Sequence, residues 1–106
     1  MDIQKLREAI IERENTDDEY DYGIEQCHQK MLSIIVQDPQ GTVSYLRNEC
    51  TANEFSWLSE IFDDIAIATN SRAIIEALYF LAEKYPDESK TYNIISFIES
   101  AEAILT

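Results

Sequence analysis

From Ile3 to Leu105 the apolar residues recur at intervals of three and four, and no stretch shows the sustained period-two alternation of a strand. That spacing lines each apolar set along one face of a helix. The chain also has few ways to leave the helical conformation. Its 106 residues include only two Gly and two Pro, the residues that most readily break helices and build turns. Long regular elements follow, with helices the favoured kind.

Ile3, Leu6 and Ile10 step along a first helix, capped by Asp2 and running to about Glu14. Asn15-Thr16-Asp17-Asp18-Glu19 reads as a break followed by a new start, with Thr16 and Glu19 spaced as a capping box. Tyr20, Ile24, Cys27, Met31 and Ile34 or Ile35 then form one stripe, in which Gly23 marks a possible local break. Asp38-Pro39-Gln40-Gly41 ends this helix, because a residue before Pro is pushed out of the helical region. A shorter third helix carries Val43, Leu46 and Cys50. Thr51-Ala52-Asn53-Glu54 is a second capping box, opening the broad face of Phe55, Leu58, Ile61, Phe62, Ile65 and Ala66. After Thr69-Asn70-Ser71, the pattern resumes with Ile74, Ile75, Leu78, Leu81, Ala82 and Tyr85. Pro86-Asp87 stops that helix and can cap a last one bearing Ile94, Phe97, Ile98, Ala101, Ile104 and Leu105. The expected fold is therefore all-α: one domain over residues 1–106, a compact bundle of about five to six antiparallel helices, or alternatively stacked helical hairpins.

Chemistry is sparse along this chain. Glu25 and His28 have the Glu-x-x-His spacing of di-iron bundles, but such sites need a second copy and His28 is the only histidine. Glu60, Asp63 and Asp64 could assist acid–base chemistry or hold Mg²⁺, yet no calcium loop or phosphate cradle accompanies them. Adjacent Cys27 and His28 point in different directions on a helix, and no nucleophile elbow, Walker loop or dinucleotide fingerprint is present. The expectation is a protein that is not an enzyme, with no cofactor and no metal. Cys27 and Cys50 show no metal-ligand spacing and read as free buried thiols of a reducing compartment. Met1-Asp2-Ile3-Gln4-Lys5 lacks the basic and apolar regions of a signal peptide, which points to the cytoplasm.

Charge gives the strongest functional cue. Twenty-one Asp and Glu face eight Lys and Arg, a formal net charge of −13. Nucleic acid and anionic membrane are disfavoured as partners, since phosphate binding requires basic side chains. A basic protein is favoured, with salt-sensitive, steered association; simple solubility is the plainer alternative. Two clusters combine carboxylates with aromatic rings, the pairing of packing area and charge that a hot spot for a cationic surface needs. In one, Asp17, Asp18, Glu19, Asp21 and Glu25 crowd Tyr20 and Tyr22; in the other, Glu49, Glu54, Glu60, Asp63 and Asp64 surround Trp57. Trp57 lies one residue off its helix's apolar stripe, at the expected edge of the core. Alternatively, Tyr20 and Trp57 belong to the core and the acids are solvation.

From Tyr45 onward three stretches carry a family likeness: Tyr45-Leu46-Arg47-Asn48-Glu49-Cys50-Thr51 leading into Glu54 to Ala66, then Leu81 to Pro86, then Tyr92 to Glu99. In its sequence of helix faces and turns this half of the chain resembles small all-helical immunity proteins of bacterial polymorphic-toxin and contact-dependent growth inhibition systems. The resemblance implies a cytoplasmic protein that binds one cognate toxin domain and blocks its active site or substrate groove. Many such toxins are nucleases with basic clefts, against which carboxylates can stand where phosphates would lie. It carries no fixed binding motif, so the residues nominated above rest on charge and aromatic placement. A non-catalytic helical adaptor or scaffold, binding a host protein or itself, is the competing expectation.

Overall fold

Asp2 opens the first helix, α1 (Ile3–Glu14), in the computed structural model, which describes all 106 residues; its carboxylate accepts the Lys5 amide at 3.0 Å. The second, α2 (Asp21–Gln37), runs unbroken through Gly23. Asp38 separates it from α3 (Pro39–Asn48) and caps that helix by accepting the Gly41 amide at 2.9 Å. Pro39 occupies the first turn, where its missing N–H costs nothing. Both halves of the Thr51–Glu54 capping box form at the start of α4 (Ala52–Leu58). A 3-10 turn at Ser59–Ile61 leads into α5 (Phe62–Thr69), which ends on Asn70 in the left-handed region at φ 47°. Ser71 caps α6 (Arg72–Lys84) through the Ile74 amide. A short α7 (Pro86–Thr91) and then α8 (Ile94–Ile104) close the chain, with a second left-handed Asn93 at φ 53° between them. The chain is all-helical and has no strand. The expected six units are all there, two of them subdivided: the fourth into α4, the 3-10 turn and α5, the last into α7 and α8.

Several local expectations are corrected. The Thr16–Glu19 box does not form. The Thr16 hydroxyl turns back to the Glu12 carbonyl at 2.6 Å, the Glu19 amide goes to the Asp17 carboxylate at 2.8 Å, and α2 starts later with Tyr20 as an uncapped boundary. Asp17 wins that amide because its short side chain closes an Asx turn two residues on. Gly23 is there for space, not for a break: a Cβ would lie 2.5 Å from the Tyr20 ring. Asp38, pushed out of the helical region before Pro39, ends α2 as expected, but Pro39 to Gly41 also form the first turn of α3, and Cys50 lies beyond that helix's end. Asp87 sits inside the first turn of α7 and caps nothing.

Packing explains which apolar residues reach the interior. α1 lies along α2, α5 packs against both α2 and α8, α6 against both α3 and α8, and α4 touches α1 and α7. Twenty-four apolar side chains merge into one buried cluster, so the helices share a single core. Phe55 is central, with the rings of Phe62 and Tyr85 at 6.0 and 6.4 Å. Extents of 31 × 30 × 25 Å describe a globule and not an elongated stack of hairpins. Two residues leave the stripes assigned to them: Tyr20 is 56 % exposed and Phe97 47 % exposed. In α8 the adjacent Ile98 takes the inward position, in register with Ile94 and Ala101, and turns Phe97 outward. No helix is long and apolar enough to cross a membrane.

Candidate functional site

The site begins where α4 gives way to the 3-10 turn. The Ser59 hydroxyl donates to the Ser56 carbonyl at 2.5 Å, a local bond that competes with regular helix. The turn brings Glu60 to the end of α1. There Arg13, only 5 % exposed, grips its carboxylate with both ends of the guanidinium fork: Nε donates to Oε1 at 2.8 Å and Nη2 to Oε2 at 2.9 Å. Nη1 and Nη2 each reach Asp18 Oδ1 at 3.2 Å, and the guanidinium carbon stands 5.0 Å from the Trp57 ring centre. His28, from α2, adds Nε2 at 3.0 Å from Glu60 Oε1. Burial alone would raise the Glu60 carboxyl, but the hydrogen bonds and charges of Arg13 and His28 outweigh it and hold the group below its ordinary range. The Glu60 hydrogen bond in turn raises Arg13 against the cost of its own burial. This clasp ties α1, α2, the following loop and the 3-10 turn around one side of Trp57.

Beside the clasp is a groove of about 510 Å³, the size of a small-ligand or side-chain pocket. Trp57, Tyr92 and Phe97 form its aromatic surface, Glu14 and Glu60 its charged rim, and no Lys or Arg lines it. Trp57 is partly buried against the core, whereas Tyr92 is 56 % exposed and Phe97 nearly as much. The groove is therefore an open aromatic surface edged by carboxylates.

The residues nominated from the sequence separate into distinct roles. Trp57 and Glu60 come together in the groove, and Asp18 supports them through Arg13. Asp63 accepts the Ser100 hydroxyl at 3.2 Å, and Asp64 is exposed beside it on α5. Glu54 is taken out of the surface. It is buried, and its carboxylate accepts the Tyr45 hydroxyl at 2.9 Å, the Thr51 amide at 3.1 Å and Arg7 Nε at 2.8 Å. Glu49 stays exposed, while its carbonyl accepts Arg7 Nη2. Asp17 is occupied by its turn, and Glu25 by Gln29 at 2.8 Å. Tyr20 and Tyr22 are both solvent-facing, with ring centres 6.2 Å apart and Asp21 exposed between them in the sequence. Glu25 and His28 do not converge, since His28 points to Glu60, and no group of three His, Cys, Asp or Glu side chains is placed to hold a metal ion.

Local spacing does not mark Arg13, Glu14, Tyr92 or Phe97 as residues of the site. Arg13 and Glu60 are 47 positions apart, so no local spacing announces their pairing. Tyr92 precedes the apolar stripe of the last helix, and Phe97 falls on that stripe by spacing alone. One usable signal was present: Phe97 and Ile98 are neighbours, and a helix face cannot bury both equally. Compared with known protein families, with curated proteins and with solved structures, the chain matches none.

Proposed function

We propose that this chain is a non-catalytic inhibitor of the immunity type, which binds a basic protein partner and neutralises it. The partner in this reading is a cognate bacterial toxin domain whose substrate cleft is cationic, as a nuclease's would be, and the encounter takes place in the cytoplasm. One observation carries the reading: an open aromatic groove rimmed by carboxylates, with no cation lining it, on a body of net charge −13. Aromatic area supplies affinity at an interface core, while the surrounding charge steers approach and sets register. Exposed Tyr20 and Tyr22, flanked by Asp17, Asp18 and Asp21, extend the same character to the start of α2. The same charge weighs against nucleic acid and anionic membrane as partners.

The test is co-expression with the product of the adjacent gene. The expected result is a stoichiometric complex, relief of that product's toxicity, and an association rate that falls as salt is raised. A product that remains toxic, or preferential binding of RNA by this chain, overturns the reading. An adaptor role is the second reading, favoured by the 68 % exposure of Ile67 on α5; self-association lost in Ile67→Ser would support it.

A further inference from the structure

Resting on the reading above, we infer that the Trp57–Tyr92–Phe97 groove receives an arginine side chain from the basic partner. Its guanidinium stacks on the exposed rings and pairs with Glu14 and the remaining acceptor capacity of Glu60. The groove is lined by two carboxylates and by no Lys or Arg; the neighbouring cation, Arg13, is taken up by Glu60 and Asp18. An ionised carboxylate has about four lone-pair positions. Arg13 Nε, Arg13 Nη2 and His28 account for three at Glu60, and Glu14 makes no side-chain hydrogen bond or ion pair within the chain. Trp57 and Glu60 already hold one guanidinium, that of Arg13, by stacking at 5.0 Å and a two-pronged pair.

Arginine suits this chemistry better than lysine. The guanidinium is planar, weakly hydrated and forked, so it can stack on a ring and bond a carboxylate at once; an ammonium is a strongly hydrated point charge. The volume of about 510 Å³ and the open mouth fit a side chain arriving on a protein surface.

Trp57 is the only tryptophan, so its emission reports on the groove directly. Tetra-arginine and tetra-lysine peptides of equal charge can be titrated at low salt, followed by Trp57 fluorescence and calorimetry. Tetra-arginine is expected to bind about fivefold tighter and to change Trp57 emission saturably, the preference expected from one stacked cation. The double variant Tyr92→Ala, Phe97→Ala should remove that preference, and Glu14→Gln should weaken arginine binding without touching the rings. Asp17→Asn with Asp21→Asn, remote from these rings in sequence, should lower both peptides' affinities alike. Equal affinities with silent Trp57 emission overturn the arginine site but leave the acidic-surface reading intact. Failure of both peptides to bind at low salt overturns both. Exposed Tyr92 and Phe97 can be truncated without opening the core; should the double variant nonetheless unfold, Glu14→Gln decides the matter alone.

Discussion

Glu60 is where charge and fold meet at the scale of one side chain, and acid should expose its role. Because Arg13 and His28 hold its carboxyl below the ordinary range, the folded protein binds fewer protons there than the unfolded chain does. Its contribution to stability is thus complete above the unfolded pKa, near ~4.3, and is lost as the pH falls through the lower folded value. Glu60→Gln should cost about 1–3 kcal/mol at neutral pH, toward the lower end since the side chain is 32 % exposed. Urea unfolding at pH 7 and again near pH ~3 should show the gap between parent and variant shrinking. A gap that persists unchanged in acid would mean Glu60 acts by shape alone. The cysteines permit a second prediction at this scale. Burial pushes the Cys50 thiol up to about 12, and Cys27 is buried as well. A thiol-disulfide reagent at neutral pH should therefore modify neither until the chain opens, with rates that follow urea-induced unfolding. Prompt modification of the native protein would contradict their burial. An enclosed Cys27 could be anticipated from the sequence, because a small apolar side chain on a helical stripe points inward; Cys50 is enclosed although it lies past the end of α3. The Arg13–Glu60 pair could not, because it joins residues that only the tertiary fold makes neighbours.

Helix starts show how far local spacing can be trusted. Thr16-x-x-Glu19 and Thr51-x-x-Glu54 have the same form in the sequence, yet only the second makes both reciprocal bonds. The difference lies in the residues between and beyond. Asp17 offers the Glu19 amide a shorter route, and the Tyr20 ring packs against Gly23 at the start of α2. Around Thr51 nothing competes, and Glu54 is further fixed by Tyr45 and Arg7. Thr51→Ala should therefore cost about 1 kcal/mol or somewhat more, the usual loss of an N-cap, whereas Thr16→Ala should cost only a few tenths of a kcal/mol. Thermal or urea melts of the two single variants check the contrast; equal losses would restore the Thr16 box. The break between α4 and α5 is likewise invisible to local spacing. Apolar spacing continues across Ser59–Ile61, and the Ser59 hydroxyl that tightens the turn leaves no mark in a hydrophobic pattern.

Taken whole, the molecule holds far more anions than its cations can answer. Arg7, Arg13, Lys30 and Arg72 are each paired with carboxylates, but with twenty-one acids against eight bases most carboxylates have no cation beside them. They share a globule whose radius of gyration is 12.7 Å, comparable to the Debye length of ~10 Å at 0.1 M salt. In low salt each feels many of the others, and this repulsion opposes the compact state. Salt should have two opposed effects: it weakens the exposed Lys30–Glu12 and Arg72–Glu102 pairs, each worth less than about 1 kcal/mol, and it screens the far more numerous repulsions. The half-buried Arg13–Glu60 contact is screened less than these. The second effect should win, so the melting temperature is expected to rise by several degrees, about 1 kcal/mol, between low salt and roughly 0.3 M sodium chloride. Sodium chloride is the appropriate salt, because sulfate would strengthen apolar burial as well and confuse the cause. A variant with Asp64→Lys and Glu49→Lys, at exposed positions free of the clasp, should start from a higher melting temperature and respond less. If salt instead lowers stability, the paired cations outweigh the unpaired anions. The net charge would then be no strain on the fold for a cationic partner to relieve.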